Sequence, residues 1–280
     1  MTTDFAHAVL PPPLGTRVLR MGVAGNYGLT AADIAHAAGR GVNTWVWTPN
    51  FRKVTPGLRD VLAGDREQHV VTMLGVAYTP GMARRGVEKA LRMLGTGYLD
   101  VYQLSWLGRG SLFGEGIQET LLALKAEGKV RALGCSIHDR KRAGQLAEDS
   151  ILDLFMIRYN AAHPGAEEDV FPHLARRNPA VVSYTATSWR QLIKPLGIPM
   201  RPWPLPAADG PVPPPLTPSL CYRFCLSSPH VHVVLTGPND RAQLDANLDA
   251  LEAGPLTGEE DAWVREYGRA VRAKKRIPFL

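Results

Sequence analysis

The sequence predicts a (β/α)8 barrel, and three observations lead to this fold class. Short β-branched runs alternate with segments of helical periodicity along most of the chain. Many of these runs are apolar on both faces, as strands of a helix-covered parallel sheet must be. Counting a weak strand near residues 17–22, the alternation amounts to about eight strand–helix units, which favours a barrel over a doubly wound sheet.

The strands are predicted from β-branched and aromatic runs that turn residues interrupt. After the weak first strand they lie at 44–47, 70–74, 99–104, 130–135, 152–157, 180–184 and 231–235. Between them, apolar side chains recur at helical spacing in 82–94, 117–124 and 244–251. A helix is also predicted from Ala31, because Thr30 and Asp33 have the spacing of a capping box.

Length and composition suit one globular domain. The chain has 280 residues, of which 45% are hydrophobic and 21% charged, so we expect a single barrel domain over residues 1–280. The net charge of +6 is concentrated in part in a basic C-terminal tail, which contains Arg269, Arg272, Lys274, Lys275 and Arg276. No basic stripe with interleaved aromatic residues accompanies it, so no nucleic-acid partner is expected.

The cellular location is predicted from three absences. The three cysteines, Cys135, Cys221 and Cys225, are too few for a disulfide framework and suit a reducing compartment. Cys221 and Cys225 have the spacing of one helix face, but no further ligands lie nearby, so we expect no metal site. No apolar run reaches about 18 residues, and residues 1–13 do not resemble a signal peptide. We expect a cytoplasmic protein that binds no membrane.

A proline-rich segment at about 190–218 interrupts the alternation. Its prolines exclude a helix or a central strand. It follows the predicted strand at 180–184, so in a barrel it is a long loop over the C-terminal rim, where barrel active sites lie. We interpret it as a stiff lid over a ligand, with an exposed polyproline-type connector as the alternative.

Four segments resemble the aldo-keto reductase superfamily. They are LGTGYLDVYQLSW (94–106), GKVRALGCSIHD (128–139), IRYNAAHPGAEEDVFP (157–172) and LTGPNDRAQLDANLDAL (235–251). Their order and spacing agree with that family over roughly residues 15–260. The resemblance implies a (β/α)8 barrel that holds NADP(H) across its C-terminal rim and transfers a hydride to a carbonyl.

The resemblance also implies four catalytic positions, and this chain departs from the family at each of them. The family uses an Asp, a Tyr that protonates the forming alkoxide, a Lys that lowers the pKa of that Tyr, and a His that orients the carbonyl. GVNTWVWTPNF (41–51) places Val46 at the Asp position and Phe51 at the Tyr position. VVTMLG (70–75) places Leu74, or its neighbour Met73, at the Lys position, and YQLSW (102–106) places Ser105 at the His position.

These replacements predict an apolar pocket. Removing one member of a buried ion pair costs roughly 3–5 kcal/mol, whereas replacing both with apolar groups can be neutral. Val46 with Leu74 is such a double replacement, and Phe51 keeps a ring without a proton. Positioned acid–base catalysis contributes ~10²–10⁴ in rate, so we do not expect simple carbonyl reduction by the family mechanism. Hydride transfer to an iminium, or to a two-electron acceptor protonated by water, stays open.

Other rim residues are candidate substitutes for the missing groups. His138 and Tyr78 follow predicted strands and could supply a proton at the rim. Trp106, at the end of YQLSW, is expected to line the pocket with Val46 and Leu74.

The cofactor contacts that the resemblance implies are mixed. Tyr184 matches the aromatic that stacks on the nicotinamide, or is simply a core tyrosine, and Ser136 matches a carboxamide-binding serine. Ile137 and Met156 replace the usual Asn and Gln. Arg241 is a candidate for a 2′-phosphate, or a solvated side chain at the start of a helix. The full set is Ser136, Asn160, Tyr184, Gly237, Asn239, Arg241, Gln243 and Asn247.

Three functions remain open at this point. The first is an NADP(H)-dependent oxidoreductase with a non-standard active site and a small-molecule substrate. The second is a catalytically silent barrel that binds a nucleotide or metabolite. The third is a redox-neutral cyclase or isomerase that uses the apolar pocket to shape its substrate. The sequence does not indicate an oligomeric state.

Overall fold

Eight parallel strands close into a barrel, which confirms the predicted fold class. The computed structural model describes residues 4–25, 27–196 and 214–274. Around the barrel the strands follow the order β10-β3-β4-β5-β6-β7-β8-β9. The barrel strands are β3 (Met21–Ala24), β4 (Thr44–Trp47), β5 (Val70–Gly75), β6 (Leu99–Leu104), β7 (Val130–Ile137), β8 (Leu154–Arg158), β9 (Ala180–Tyr184) and β10 (Val233–Thr236).

Helices follow the barrel strands and cover the outside of the sheet. They are α1 (Ala31–Gly39), α2 (Thr55–Gly64), α3 (Pro80–Leu94), α4 (Glu115–Ala126), α5 (Arg140–Glu148), α6 (Ala166–Asp169), α7 (Pro218–Ser227), α8 (Arg241–Leu248) and α9 (Gly258–Lys274). The predicted start of α1 is confirmed: the Asp33 carboxylate accepts hydrogen bonds from the Thr30 backbone N–H at 2.9 Å and from its hydroxyl at 2.7 Å. These bonds hold the chain at the helix entry.

The first predicted strand requires a correction. Residues 17–22 are not one barrel strand: β2 (Arg17–Leu19) pairs antiparallel with β1 (His7–Val9), and the barrel strand β3 begins only at Met21. The hairpin places Leu10, Leu14 and Val18 against the apolar residues of the barrel interior. The N-terminal end of the barrel is thereby closed against water, which continuing β2 into the barrel wall would not achieve.

Strand alternation sorts the side chains into two cores. Val46 belongs to an inner cluster within the barrel, together with residues such as Val101, Met156 and Val182. Trp45 and Trp47 belong to the outer cluster between sheet and helices. There Trp45 Nε1 donates to His69 Nδ1 at 3.1 Å, and Trp47 Nε1 donates to Thr55 Oγ1 at 3.0 Å. Side chains alternate along β4, so of Trp45, Val46 and Trp47 only Val46 faces the barrel axis.

Only the two ends of the proline-rich segment belong to the described part of the chain. Leu192 and Leu216 are buried, and the Leu216 N–H donates to the Leu192 carbonyl at 3.1 Å. Residues 197–213, which carry most of the prolines, lie outside the described residues. The lid therefore stays a prediction.

The basic C-terminal tail also differs from the expectation. Arg269, Arg272 and Lys274 lie in the last turns of α9 instead of in a separate solvated tail. Lys274 Nζ donates to the Leu196 carbonyl at 2.7 Å. Cations are favourable near a helix C-terminus, which accounts for their position in the helix. Lys275 and Arg276 are outside the described residues.

In the described ranges, no helix combines the length and the apolar character needed to span a membrane.

Candidate functional site

The interior of the barrel mouth is apolar at two of the positions that the sequence singled out. Val46 is a member of the inner cluster, and Leu74 packs against the same cluster. Met73 belongs to the outer cluster, so Leu74 is the residue that faces the barrel interior. In the β4–β5 ladder Val46 pairs with Thr72, two residues before Leu74, and the two side chains are therefore neighbours on one face.

Phe51 lies at the rim on a different packing layer. It follows β4, and its carbonyl accepts a hydrogen bond from the Thr55 hydroxyl at 2.9 Å at the start of α2. Its ring is partly buried against the outer cluster instead of the inner one. Phe51 thus packs in the connection between β4 and α2, and its role in the pocket stays a prediction.

Ser105 and Trp106 begin the loop that connects β6 to α4. The Ser105 carbonyl accepts a hydrogen bond from the Ser111 hydroxyl at 2.8 Å. Trp106 adopts a positive φ of 51° and exposes 60% of its surface. Its backbone N–H donates to Ser136 Oγ at 2.8 Å. Ser136, on β7, is buried and still has its hydroxyl proton to donate, which is what binding of a carboxamide oxygen requires.

His138 and Tyr184 meet above the mouth of the barrel. The Tyr184 hydroxyl is 3.3 Å from His138 Nδ1, and the two rings are in edge-to-face contact. Burial and then the positive charges of Arg158 and Arg109 lower the pKa of His138, so its imidazole is neutral near pH 7. Burial raises the pKa of Tyr184, an effect that Arg158 opposes. In the tautomer with its proton on Nε2, His138 accepts the Tyr184 O–H.

Tyr78, the other candidate proton donor, stands away from this pair. It is 48% exposed, and its hydroxyl donates to the Arg109 carbonyl at 3.4 Å. That bond lies on the β6–α4 loop, so the structure connects Tyr78 to the loop of Trp106 and not to His138.

Asn160 is committed to holding two rim loops together. Its side chain is completely buried. The amide nitrogen donates to the Thr185 carbonyl at 2.8 Å, and Oδ1 accepts from the Ala162 N–H at 3.1 Å. These bonds join the loop after β8 to the end of β9. The cofactor contact of Asn160 stays a prediction.

The predicted adenosine end forms a surface where β10 leads into α8. Asp240 caps α8 by accepting from the Gln243 N–H at 2.8 Å, and Gln243 Oε1 accepts from the Asn239 N–H at 3.2 Å. Gly237 lacks a side chain where the Tyr27 ring packs, since a Cβ there would overlap the ring. Tyr27 is not among the predicted cofactor residues, and it is 49% exposed beside this surface.

The side chain of Arg241 is exposed, whereas that of Asn247 is buried. Arg241 Nε donates to Asp33 Oδ1 at 2.9 Å, the one hydrogen bond of this guanidinium within the described ranges. Its terminal nitrogens can therefore still face a phosphate. Asn247 is buried and donates to Thr236 Oγ1 at 2.9 Å, which in turn lies 2.9 Å from the Tyr222 hydroxyl. Asn247 thus stabilises the end of β10 through Thr236.

The candidate cofactor residues lie at two ends of one stretch of the rim. At one end are a buried hydroxyl with a proton to donate, on Ser136, and the half-buried ring of Tyr184. At the other end Asn239, Gln243 and Arg241 are accessible on the β10–α8 surface. β9 and β10 are neighbours in the barrel, so the two ends lie on one continuous stretch of rim.

The sequence matches one family model and one curated relative. The model of the aldo/keto reductase family matches residues 28–189. The NADH-specific methylglyoxal reductase of Escherichia coli (strain K12) is 31% identical over 107 residues, which are 37% of this chain and 32% of that relative. The match thus spans about a third of the length of that curated relative.

Among solved structures, the aldo-keto reductase AKR11C1 from Bacillus halodurans is similar in fold. Its holo form matches with a TM-score of 0.76 at 21% identity, covering 94% of this chain and 96% of that one. Its apo form matches over the same shares with a TM-score of 0.72, also at 21% identity. At such identity the likeness concerns the fold alone.

Proposed function

Because the chain belongs to the aldo/keto reductase family, we propose that it is an NADP(H)-binding oxidoreductase that works without the family's four catalytic side chains. The observation that carries this proposal is the apolar packing of Val46 and Leu74 in the barrel interior. An Asp–Lys pair at these two positions would be buried beside the apolar side chains of the inner cluster, which offer it no opposite charge. The interior is therefore built to exclude water and to hold an apolar part of a substrate.

The proposed cofactor contacts use the free groups at the rim. Ser136 donates its hydroxyl to the carboxamide, the Tyr184 ring supports the nicotinamide, and Asn239, Gln243 and Arg241 bind the adenosine end. When bound there, the cofactor supplies a hydride to the substrate. The 2′-phosphate of NADPH pairs with the terminal nitrogens of Arg241, whose Nε is already oriented by Asp33.

Proton supply decides which acceptors the site can reduce. Phe51 has no proton to give, and a titratable pair at the rim is His138 with Tyr184. An acceptor that is already cationic, such as an iminium, needs no proton in the hydride step. A quinone-like acceptor takes its proton from water afterwards. We propose these two classes as substrates ahead of simple aldehydes and ketones.

Direct titration of the purified chain with NADPH and NADH by calorimetry tests the proposal. We expect micromolar binding of NADPH, and binding weakened at least tenfold by Tyr184→Ala. Arg241→Ala should weaken NADPH by about tenfold or more and leave NADH nearly unchanged, because a charge-assisted hydrogen bond contributes roughly 1.5–3 kcal/mol. Arg176→Ala, at an exposed site before β9, is the matched control.

Two results would overturn parts of the proposal. Equal effects of Arg241→Ala on both nucleotides would remove the NADPH preference, as in a relative whose name specifies NADH. No binding of either nucleotide up to millimolar concentration would remove the oxidoreductase. The apolar interior of Val46 and Leu74 would then favour the silent metabolite-binding barrel or the redox-neutral cyclase or isomerase.

A further inference from the structure

A cleft lies at the rim beside the His138–Tyr184 pair. It lies between the β6–α4 loop and the β7–α5 loop and has a volume of about 340 Å³. Its walls include Trp106, Arg109, His138, Asp139 and Arg142. The volume is at the lower end of the range for ligand sites, enough for one substituent of a small substrate.

The two loops that form this cleft are fixed to each other. The N–H groups of Trp106 and Leu107 donate to the hydroxyl and the carbonyl of Ser136, each at 2.8 Å. The loop of Trp106 is closed further by the Gly108 N–H, which donates to the Ser111 carbonyl at 3.0 Å. The cleft is therefore a preformed feature of the rim.

The guanidinium of Arg142 lies directly against the first loop. Gly108 has a φ of 86°, and a Cβ built on it would be 3.0 Å from Arg142 Nη1. The missing side chain leaves the space that this guanidinium occupies. Arg109 extends from the same loop, so the cleft is lined by one arginine from the β6–α4 loop and one from the first turn of α5.

The charges at the cleft are unbalanced. In the described part of the chain neither Arg109 nor Arg142 is ion-paired with a carboxylate. Asp139 is the acid in the wall, and its carboxylate accepts from the Arg142 backbone N–H at 3.1 Å as the cap of α5. Arg158, at the end of β8, adds a third cation whose charge reaches His138.

We propose that this cleft binds an anionic group of the substrate, a carboxylate or a phosphate monoester, through Arg109 and Arg142. Planar guanidinium groups bind both anions with paired hydrogen bonds, and Trp106 offers an apolar face for the carbon skeleton. The inference rests on the proposed function in one respect: His138 lines the cleft and also contacts Tyr184, which places the anion next to the proposed reacting centre. The substrate is then a small anion that carries both this acidic group and the iminium or quinone-like group that is reduced, and not a neutral aldehyde.

Binding of charged and neutral probes, without any cofactor, tests the proposal. The probes are benzoate, phenyl phosphate and benzamide, followed by Trp fluorescence and calorimetry. We expect at least one of the two anions to bind at least tenfold more tightly than benzamide, with affinity that falls as salt rises. Stronger binding of benzoate indicates a carboxylate substrate, and stronger binding of phenyl phosphate indicates a phosphate ester.

Variants assign the binding to this cleft. Arg109→Gln with Arg142→Gln should weaken the preferred anion at least tenfold and leave benzamide unchanged. Lys141→Gln, an exposed neighbour on α5 outside the cleft, is the matched control. Thermal unfolding checks that each variant is folded, and the single variants replace the double one if it is not.

Two results would overturn the proposal: equal binding of benzoate, phenyl phosphate and benzamide, or unchanged anion binding in the folded arginine variants. Neither depends on the nucleotide. Failure of the NADPH titration with intact anion binding would refute the oxidoreductase and leave an anion site. NADPH binding without anion selectivity would refute only the substrate class.

Discussion

Tyr184 and His138 are 46 positions apart in the chain, yet the tyrosine hydroxyl lies 3.3 Å from His138 Nδ1. The ring centroids are 6.2 Å apart with an interplanar angle of 68°, an edge-to-face contact. β7 and β9 bring the two residues together across β8, whose last residue, Arg158, pairs with Tyr184 in the ladder. This contact puts a titratable pair beside a barrel interior that lacks one at Val46 and Leu74.

The first prediction concerns that pair as a proton source. His138→Gln should lower kcat with a carbonyl acceptor by at least tenfold and leave kcat with a preformed iminium nearly unchanged, because only the carbonyl needs a proton during reduction. Steady-state kinetics with matched acceptors measures the difference. Tyr78→Phe is the control, since that hydroxyl contacts Arg109 instead. Equal losses with both acceptors would point to a structural role of His138.

A second prediction is that the family's catalytic groups can be restored. Val46→Asp with Leu74→Lys and Phe51→Tyr should create aldehyde reduction with NADPH, if the nicotinamide rests on Tyr184. Val46→Asp alone should destabilise the fold by about 3–5 kcal/mol, and adding Leu74→Lys should recover part of that loss. Chemical denaturation and an aldehyde assay check both statements. A stable triple variant that binds NADPH but reduces no aldehyde would contradict the proposed cofactor position.

The third prediction concerns a buried carboxylate at the opposite end of the barrel. Asp100 is completely buried and accepts from Arg66 at 2.7 Å, from Arg131 at 3.1 Å and from the Val71 N–H at 2.9 Å. Asp100→Asn should lower the free energy of unfolding by about 3–5 kcal/mol, because two cations lose their counter-charge. Asp4→Asn, at a half-exposed pair with Arg17, should cost less than about 1 kcal/mol. Urea unfolding compares them, and equal costs would contradict this reasoning.

A fourth prediction concerns stability against pH. Burial, and then the charges of Arg20 and His230, lower the pKa of His232 to about 4, and its Nδ1 accepts from the Val181 N–H at 3.1 Å. His232 therefore stays neutral in the folded chain at pH values where it is protonated in the unfolded chain, whose histidine pKa is near 6.5. The stabilisation that results is complete above pH 6.5 and is lost as the pH falls towards 4. At pH 5 the loss is about 2 kcal/mol.

His232→Asn isolates this effect. The asparagine Oδ1 keeps an acceptor for the Val181 N–H and does not titrate. Urea unfolding at pH 8 and pH 5 should show a loss in the parent chain that exceeds the loss in the variant by about 2 kcal/mol. Identical losses in both would show that His232 titrates normally in the folded protein.

Much of the fold follows from local patterns. The strands at 44–47, 99–104 and 180–184 have the predicted bounds, because hydrophobic runs between turn residues define them. The N-terminal strand was placed wrongly, since β2 and β3 are separated by only one residue, Arg20, and local sequence does not divide them into two strands. Only the pairing of β2 with β1 shows where the barrel begins.

Some residues of the candidate site could likewise be predicted from the sequence, and others could not. Reading Val46, Leu74 and Ser105 against the family motif placed them at catalytic positions, and strand alternation put Leu74 rather than Met73 inside the barrel. Arg109 and Arg142 were not selected, because an arginine in a loop or a helix carries no local sign of what it faces. The signal available was their position after the predicted strands at 99–104 and 130–135.

The amino-acid sequence by itself determined the alternation of strands and helices, the capped start of α1 and the apolar character of the pocket positions. Closure of the barrel decided the rest. It brings together residues from the ends of β7 and β9, as with His138 and Tyr184, and it leaves Arg109 and Arg142 facing one cleft. Such contacts depend on strand register and loop packing, which are set by interactions between residues distant in sequence.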